Sequence, residues 1–323
     1  MIDPLERWRA YGEKPDYAGL LSFGGVPYTE DAADLEGADV AIVGAPVDDL
    51  VSDRPGARFA PRAIRAASCP PGRHLEAHID AFATLRVLDY GDAAVVPGDP
   101  KRSHEAIRAL VGEVLSAGVV PIVLGGDHSI AEPNMGACAA EHGALGLVHF
   151  DSHTDTGTEV FGARSSHGTP MRHLVEEGHV DPQRYVQIGL RGYWPGEAEF
   201  AWQAESGITS IFMHELRAGG LGQAIDRAIA VVGDGPTFLS VDVDVLDPAF
   251  APGTGTPEPG GLTSAELLDA CRTVARRARL VGSEVVEVLP EAIGSADVTA
   301  LVADRIVRET LTGLAQRLGS APG

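Results

Sequence analysis

Short apolar runs rich in Val and Ile alternate along the chain with longer segments in which apolar residues recur at helical spacing. The runs predict eight strands, at 40–45, 87–90, 119–124, 145–150, 185–190, 210–213, 237–241 and 281–288. The longer segments predict helices at 102–117, 130–141, 195–205, 221–233, 264–279 and about 297–317. Strands that alternate with helices in this way are typical of a parallel sheet covered by crossover helices.

Proline and glycine cluster in short stretches that directly follow predicted strands, at 54–61, 70–73 and 251–261. Such stretches are typical of loops at the carboxyl ends of parallel strands, where α/β folds place their binding sites. No stretch is long enough to serve as a linker between two domains. We therefore expect one α/β domain over residues 35–318, with residues 1–34 packed on it as an N-terminal extension. Within the domain, Thr263 or Ser264 can cap a helix, and Glu266 suits its first turn.

Composition narrows the class of protein. The chain has 323 residues, of which 44% are hydrophobic and 22% charged, as is typical of folded soluble proteins. A net charge of −21 disfavours binding to nucleic acid and to anionic membranes. A charged N-terminus and the lack of an apolar run of about 18 residues predict a cytoplasmic protein. Three widely spaced cysteines, Cys69, Cys138 and Cys271, suit reduced thiols in packed positions.

Polar residues in the segment 149–155 point to chemistry, because an apolar strand leads directly into an Asp-x-His-x-Asp pattern. In extended chain, side chains at every second position project to one face. Asp151, His153 and Asp155 can therefore converge at the carboxyl end of the strand. His149 lies deeper in the strand, and we interpret it as a packed residue.

A second strand ends in Asp242 and Asp244, within a run apolar enough for the centre of the sheet. Two buried carboxylates are costly unless they are paired. No Lys or Arg lies near them in sequence, so a divalent cation is the natural counter-charge.

A third strand ends in a Gly-Gly turn that is followed by Asp127 and His128. His128 can reach the same end of the sheet, whereas Asp127 is better interpreted as a capping group or as a support for a ligand than as a ligand itself. Two imidazoles and four carboxylates form a hard ligand set that suits a manganese-type ion. They are too many for one catalytic ion and enough for two ions that share carboxylates, so we expect a dinuclear site. The six candidate ligands are His128, Asp151, His153, Asp155, Asp242 and Asp244.

The segments 125–129, 151–155 and 240–248 resemble the three metal-ligand motifs of the ureohydrolase family, which includes arginases and agmatinases. The resemblance extends to 54–65, 166–170, 187–191 and 249–261, and these segments are similar to the agmatinase-like branch. It covers about residues 35–315. The resemblance implies a three-layer α/β/α fold with an eight-stranded parallel sheet. It also implies a homotrimer or homohexamer.

The resemblance further implies two manganese ions per chain, with nickel as an alternative. One ion would be held by His128, Asp151, Asp155 and Asp242, and the other by Asp151, His153, Asp242 and Asp244, with Asp151 and Asp242 bridging. It implies hydrolysis of a guanidino group to urea and an amine. Catalytic roles would fall to Asp155, to His167 as proton shuttle, and to Glu287, which would pair with the guanidinium.

Substrate choice stays open between two classes. Glu159 could bind the ammonium of agmatine, the leading candidate, whose product would be putrescine. Arg164 could instead bind the carboxylate of 4-guanidinobutyrate, 3-guanidinopropionate or a proclavaminate-type intermediate. The sequence departs from the family pattern at 48–52 and at 289–297. Two further classes of protein stay open, namely a catalytically idle relative that keeps its metals and a single-metal deacetylase of similar fold.

Overall fold

The computed structural model describes residues 8, 12, 14, 15, 17–194, 196–290 and 297–319. Its strands form one eight-stranded sheet in the order β2-β1-β3-β8-β7-β4-β5-β6, and every neighbouring pair is parallel. The strands are β1 Val40–Gly44, β2 Val87–Asp92, β3 Val120–Leu124, β4 Leu145–Phe150, β5 Val180–Leu190, β6 Thr209–Phe212, β7 Pro236–Asp242 and β8 Arg279–Val286.

Helices connect the strands and cover both faces of the sheet. They are α1 Ala60–Ala67, α2 Ala81–Thr84, α3 Pro100–Ser116, α4 Ala131–His142, α5 Pro170–Glu176, α6 Glu197–Ser206, α7 Met213–Gly219, α8 Leu221–Val232, α9 Ser264–Arg277 and α10 Val298–Gly319. One apolar cluster joins α1, α2, α7, α8, α9 and α10 to the sheet, and a second joins α3, α4, α5 and α6. The predicted three-layer α/β/α fold is therefore confirmed.

Alternation along each strand produces the two clusters. In β1, Val40 and Ile42 belong to the first cluster, whereas Ala41 and Val43 belong to the second. Successive side chains of a strand point to opposite faces, so a strand buried on both sides is apolar throughout. Burial of each Val or Ile side chain stabilises the fold by about 1.5–3 kcal/mol. This explains why the strands appear in the sequence as continuous apolar runs.

All eight predicted strands are present, and the differences lie at their ends. β5 begins at Val180 rather than residue 185, and β8 ends at Val286, before Glu287. The sequence did not predict the shorter helices α1, α2, α5 and α7. The predicted cap of α9 is Thr263, which forms a capping box with Glu266.

Two further observations bear on the sequence-based expectations. Cys138 and Cys271 are buried as expected, but Cys69 is exposed, so its expected packed position was wrong. Among the described residues, no helix is long and apolar enough to cross a membrane. The division of the chain at residue 35 stays a prediction.

The centre of the sheet brings the chemistry-bearing segments together. β3, β8, β7 and β4 are consecutive neighbours, and their carboxyl ends meet at one edge. Gly126 follows β3 at a point where a Cβ atom would lie only 1.9 Å from the carbonyl oxygen of Val47. Glycine is therefore required for the close approach that delivers the next residues, Asp127 and His128, to this edge.

Candidate metal centre and active site

The six predicted metal ligands gather at the carboxyl edge of the four central strands. His128 follows β3, the segment 151–155 follows β4, Asp242 ends β7, and Asp244 lies in the helical turn after it. Five of the six are buried, and the side chain of His153 is 18% exposed. The edge of the sheet thus holds four carboxylates and two imidazoles in a largely dry environment.

The local geometry of the segment 151–155 differs from the expected extended chain. β4 ends at Phe150, and Asp155 adopts a left-handed backbone with a φ of 50°. A turn after the strand, rather than strand alternation, therefore brings Asp151, His153 and Asp155 together. The backbone N–H of His153 donates to Oδ1 of Asp151 over 2.6 Å, which fixes this turn.

Two groups of contacts define the cluster. Nδ1 of His128 lies 2.8 Å from Oδ2 of Asp155, 3.2 Å from Asp151 and 3.4 Å from Asp242. Nδ1 of His153 lies 2.9 Å from Oδ2 of Asp244 and 3.6 Å from Asp151. Asp151 is common to both groups.

The electrostatics of the cluster favour a bound cation. Burial, together with the carboxylates of Asp244 and Asp151, raises the pKa of Asp242 well above its usual value. Burial opposes a positive charge on His128, yet the surrounding carboxylates hold its pKa well above the usual range. Negative charge is thus concentrated where water cannot screen it, and a divalent cation would neutralise it.

Two buried ligand atoms lack hydrogen-bond partners, which fits metal coordination. Nδ1 of His128 and Oδ2 of Asp244 are fully enclosed, and their short contacts with Asp155 and His153 do not have hydrogen-bond geometry. The other ring nitrogen of His128, Nε2, lies 2.9 Å from the hydroxyl of Ser240, which donates to Glu284 over 2.8 Å. Ser240 must therefore accept from Nε2–H, which leaves Nδ1 as the nitrogen that would bind a metal ion.

Glu284 anchors this chain of hydrogen bonds. It is fully buried in β8 and also accepts from Nδ2 of Asn134 over 2.7 Å. A buried carboxylate that orients a metal-binding imidazole raises the basicity of the ligand nitrogen. Glu284 and Ser240 were not among the residues singled out from the sequence. The charge of Glu284 inside an otherwise apolar strand was the signal that could have identified it.

His149 is packed, as expected, and it also orients a ligand. Nε2 of His149 lies 2.8 Å from Oδ2 of Asp151, and Nδ1 lies 2.9 Å from the hydroxyl of Tyr185 and 3.0 Å from Nε2 of Gln187. An amide nitrogen can only donate, and Nε2 of Gln187 shares its two hydrogens among Nδ1 of His149 and two backbone carbonyls. Nδ1 of His149 is therefore the acceptor and Nε2–H donates to Asp151. His149 lies close enough to His128 and Asp151 to share a metal ion with them. Because its Nε2–H donates to Asp151, we interpret it instead as a residue that orients this candidate ligand.

A second polar group lies beside the metal cluster. Oε1 of Glu287 accepts from the backbone N–H of His128 over 2.8 Å and from Nδ1 of His167 over 2.9 Å. Its other oxygen, Oε2, is buried without a hydrogen-bond partner. Burial opposes protonation of His167, but the adjacent Glu287 carboxylate raises its pKa to about 9. Asp127 caps the neighbouring turn by accepting from the backbone N–H of Ser129 over 2.9 Å.

His167 and three of the candidate ligands, His153, Asp155 and Asp242, line a cavity of about 230 Å³. Its lining combines ligands and His167 with two exposed aromatic residues, Phe161 (88% exposed) and Trp194 (59% exposed). Glu159 and Arg164 are exposed and do not line the cavity. The lining consists of Ser52, His153, Asp155, Val160, Phe161, His167, Gly168, Trp194, Asp242 and Thr256.

The two departures from the family pattern have different outcomes. In the segment 48–52, Leu50 is fixed between Asp127 and His167, because its N–H donates to the Asp127 carboxylate and its carbonyl accepts from the His167 N–H. This segment therefore forms one wall of the site. In the segment 289–297, residues 291–296 lie outside the described residues.

Fold and site together define an α/β protein with a buried His and Asp cluster that can hold divalent metal ions. A family model described as the arginase family matches residues 38–313. The chain belongs to this family, which confirms the resemblance found in the sequence.

Relatives and solved structures agree with this assignment. The chain is 43% identical to guanidinopropionase of Pseudomonas aeruginosa, over 94% of each chain. It is 42% identical to mitochondrial agmatinase of Gallus gallus, over 79% of this chain and 75% of the relative. Proclavaminate amidinohydrolase of Streptomyces clavuligerus superimposes with a TM-score of 0.87 at 36% identity, over 94% of this chain and all of that one. Formiminoglutamase of Trypanosoma cruzi, solved with Mn²⁺, superimposes with a TM-score of 0.80 at 27% identity, over 90% and 96%. The predicted enzyme class, a hydrolase of guanidino C–N bonds, is thereby confirmed.

Proposed function

We propose that this protein hydrolyses the guanidino group of a small molecule to urea and an amine, with two manganese ions bound per chain. The observation that carries the proposal is the free oxygen of Glu287. Oε2 is buried without a partner, and a Cβ atom on the adjacent Gly255 would lie only 3.4 Å from it. A buried carboxylate needs a cationic partner, and a guanidinium offers two N–H donors in a matching fork.

The metal assignment rests on the six clustered residues. One ion would be held by His128, Asp151, Asp155 and Asp242, and the other by Asp151, His153, Asp242 and Asp244. Divalent ions held there would lower the pKa of bound water and so supply hydroxide for hydrolysis at neutral pH. The manganese of the Trypanosoma cruzi structure supports this choice of metal, and nickel stays an alternative.

The remaining residues bind the substrate and move protons. Glu287, which lies behind His167, would pair with the planar guanidinium through its free oxygen. His167, which hydrogen-bonds to Glu287 over 2.9 Å and lines the cavity, supplies the proton that the departing amine requires. Retention of His167, Glu287 and all six candidate ligands argues against an idle relative or a single-metal deacetylase.

The cavity favours agmatine as the substrate. At about 230 Å³ it is smaller than the roughly 300–1,000 Å³ of drug-sized ligand sites, so it suits a short guanidino compound. Its described lining contains no Lys or Arg but includes Phe161 and Trp194. Aromatic faces attract an ammonium group through the ring quadrupole, and a net charge of −21 also favours a cationic substrate.

A guanidino acid is the second candidate, because one arginine lies next to the cavity. Nε of Arg54 donates to the carbonyl of Gly255 over 3.2 Å, and its half-exposed side chain makes only a 3.9 Å contact with Asp53. Arg54 therefore has donors free for a substrate carboxylate. The relatives named guanidinopropionase and proclavaminate amidinohydrolase support this candidate.

We also propose that the chain acts in the cytoplasm as a homotrimer or homohexamer, and that residues 35–318 form one domain with residues 1–34 packed against it. Size-exclusion chromatography with light scattering would test the oligomeric state. A monomer at micromolar concentration would contradict it.

The decisive experiment is urea release by the manganese-loaded protein from agmatine, arginine, 4-guanidinobutyrate, 3-guanidinopropionate and guanidine. Preference for agmatine would support the first candidate. Preference for an acid, with a KM for that acid raised at least tenfold by Arg54→Met, would support the second. Arg62→Met is the matched control, because Arg62 is exposed on α1 and does not line the cavity. Absence of urea from every compound would refute the proposed function.

A further inference from the structure

Ser52 completes a hydrogen-bonded chain that starts at Glu287. The hydroxyl of Ser52 lies 2.6 Å from Nε2 of His167, and Nδ1 of His167 lies 2.9 Å from Oε1 of Glu287. Ser52 also lines the cavity. The imidazole is therefore held between a buried carboxylate on one side and a hydroxyl that faces the substrate cavity on the other.

The partners fix the proton positions on His167. A carboxylate can only accept, so Nδ1 of His167 carries the proton that it shares with Glu287. On the other side, the backbone N–H of Ser52 donates to Nε2 over 3.0 Å. Nε2 is thus an acceptor in the neutral ring, and the Ser52 hydroxyl can donate to it as well.

The position of Ser52 is fixed by its own segment. Two residues earlier, the carbonyl of Leu50 accepts from the backbone N–H of His167 over 3.0 Å, and the N–H of Leu50 donates to Asp127 over 3.1 Å. The carboxylate of Asp48, which precedes Leu50, accepts from the N–H of Gly56 over 2.7 Å and so ties together the two ends of the segment that contains Ser52. The hydroxyl therefore does not depend on a freely moving loop for its contact with His167.

We propose that the hydroxyl of Ser52 relays the proton between Nε2 of His167 and the leaving nitrogen of the substrate. This inference rests on the proposed function and adds a catalytic residue to it. As the C–N bond breaks, its electron pair stays on the leaving nitrogen, which takes the hydroxyl proton of Ser52. The Ser52 oxygen takes the proton from Nε2, and His167 becomes neutral while Nδ1–H remains donated to Glu287. The cycle begins with the neutral ring, because the proton that the attacking water releases first reaches Nε2 through the Ser52 hydroxyl, and the transfer to the leaving nitrogen then returns His167 to that neutral state.

Ser52→Ala tests the relay cleanly, because the backbone N–H that orients His167 remains. We expect kcat to fall about 10- to 100-fold, at or below the lower end of general acid and base effects because His167 itself is retained, while KM changes less than about twofold. Ser52→Thr keeps the hydroxyl and should restore kcat to within about threefold. Ser165→Ala is the matched control, since Ser165 is an exposed serine two residues from His167 that does not line the cavity. A Ser52→Ala enzyme with unchanged kcat would overturn the relay.

A second readout does not require turnover. In the full-length protein without paramagnetic metal, ¹⁵N-histidine NMR should report His167 with a protonated Nδ1 and a hydrogen-bonded Nε2, assigned by loss of the signal in His167→Asn. Ser52→Ala should shift the Nε2 resonance and leave Nδ1 nearly unchanged. An unchanged Nε2 resonance would overturn the relay even if the wild-type protein released no urea. Absence of urea from the wild type together with the expected shift would instead refute the proposed function and leave the Ser52 contact supported.

Discussion

Replacing Glu284 by Gln should weaken manganese binding without destabilising the metal-free protein. Glu284 accepts from Ser240 and Asn134 and lies 3.9 Å from Nε2 of His128. Gln keeps the size and can keep both hydrogen bonds, because Oδ1 of Asn134 has no partner and can accept from the new amide after a flip of the Asn134 side chain. The substitution therefore removes mainly the negative charge behind the metal-binding imidazole.

The distance sets the size of the effect. Two unit charges about 4 Å apart interact by about 4 kcal/mol at an effective dielectric constant near 20. The imidazole is neutral when it binds a metal, and the cation would lie beyond it, so the loss must be smaller. Loss of such outer partners weakens metal affinity about 10- to 100-fold, which corresponds to about 1.4–2.7 kcal/mol. Burial also raises the pKa of Glu284, so removing its charge should leave the metal-free protein equally stable or more stable.

Isothermal titration with Mn²⁺ and thermal unfolding in a chelator measure the two quantities separately. Glu309→Gln is the matched control, since Glu309 is also buried but pairs with His74 and Arg272, away from the cluster. It should lower the melting temperature and leave manganese affinity unchanged. Unchanged affinity in Glu284→Gln, or a fall in melting temperature like that of the control, would refute the reasoning.

Three further predictions concern separate parts of the molecule. Asp242→Ala should abolish the tight binding of two ions and reduce urea release to background, because Asp242 faces His128 within the cluster; two ions per chain by elemental analysis would contradict this. Arg164→Ala should leave KM for agmatine and 4-guanidinobutyrate within about twofold, since Arg164 does not line the cavity, and a selective rise for the acid would contradict it. Arg65→Met should destabilise the fold by about 3–5 kcal/mol in urea denaturation, because it leaves the buried Asp89 carboxylate without its bidentate partner. A loss below about 1 kcal/mol would contradict the last prediction.

The parts of the fold that the sequence predicted are those encoded by local pattern. Central strands such as β1, β3 and β4 are buried on both faces and are continuous apolar runs, so they could be recognised from the sequence. Short helices carry too few turns for a periodic signal, which is why α5, with only seven residues, was not predicted. Local pattern also singled out the six candidate ligands but not their geometry, since Asp155 reaches the cluster through a left-handed turn rather than an extended strand.

Hydrogen bonds between residues far apart in the sequence could not be predicted from local patterns. Ser52 and His167 are 115 positions apart, and His128 meets Ser240 across 112. Neither serine differs in its local sequence from an ordinary strand or loop serine. Only the order of strands in the sheet brings them to the ring nitrogens that they orient, and that order depends on packing of the whole chain.

Two of the four described non-glycine residues with a positive φ lie at the same edge as the chemistry. Asp155 and Glu287 both adopt a positive φ, of 50° and 61°, a conformation that costs a non-glycine residue about 1–3 kcal/mol. The surrounding backbone compensates, because Glu287 donates its N–H to Gly126 and Asp155 accepts from Met171. With this backbone conformation, the side chain of Asp155 faces His128. The carboxylate of Glu287 accepts from His167 with one oxygen, and its other oxygen has no hydrogen-bond partner. Since both strained residues carry predicted catalytic side chains, the strain is best explained by the positions that those side chains must occupy.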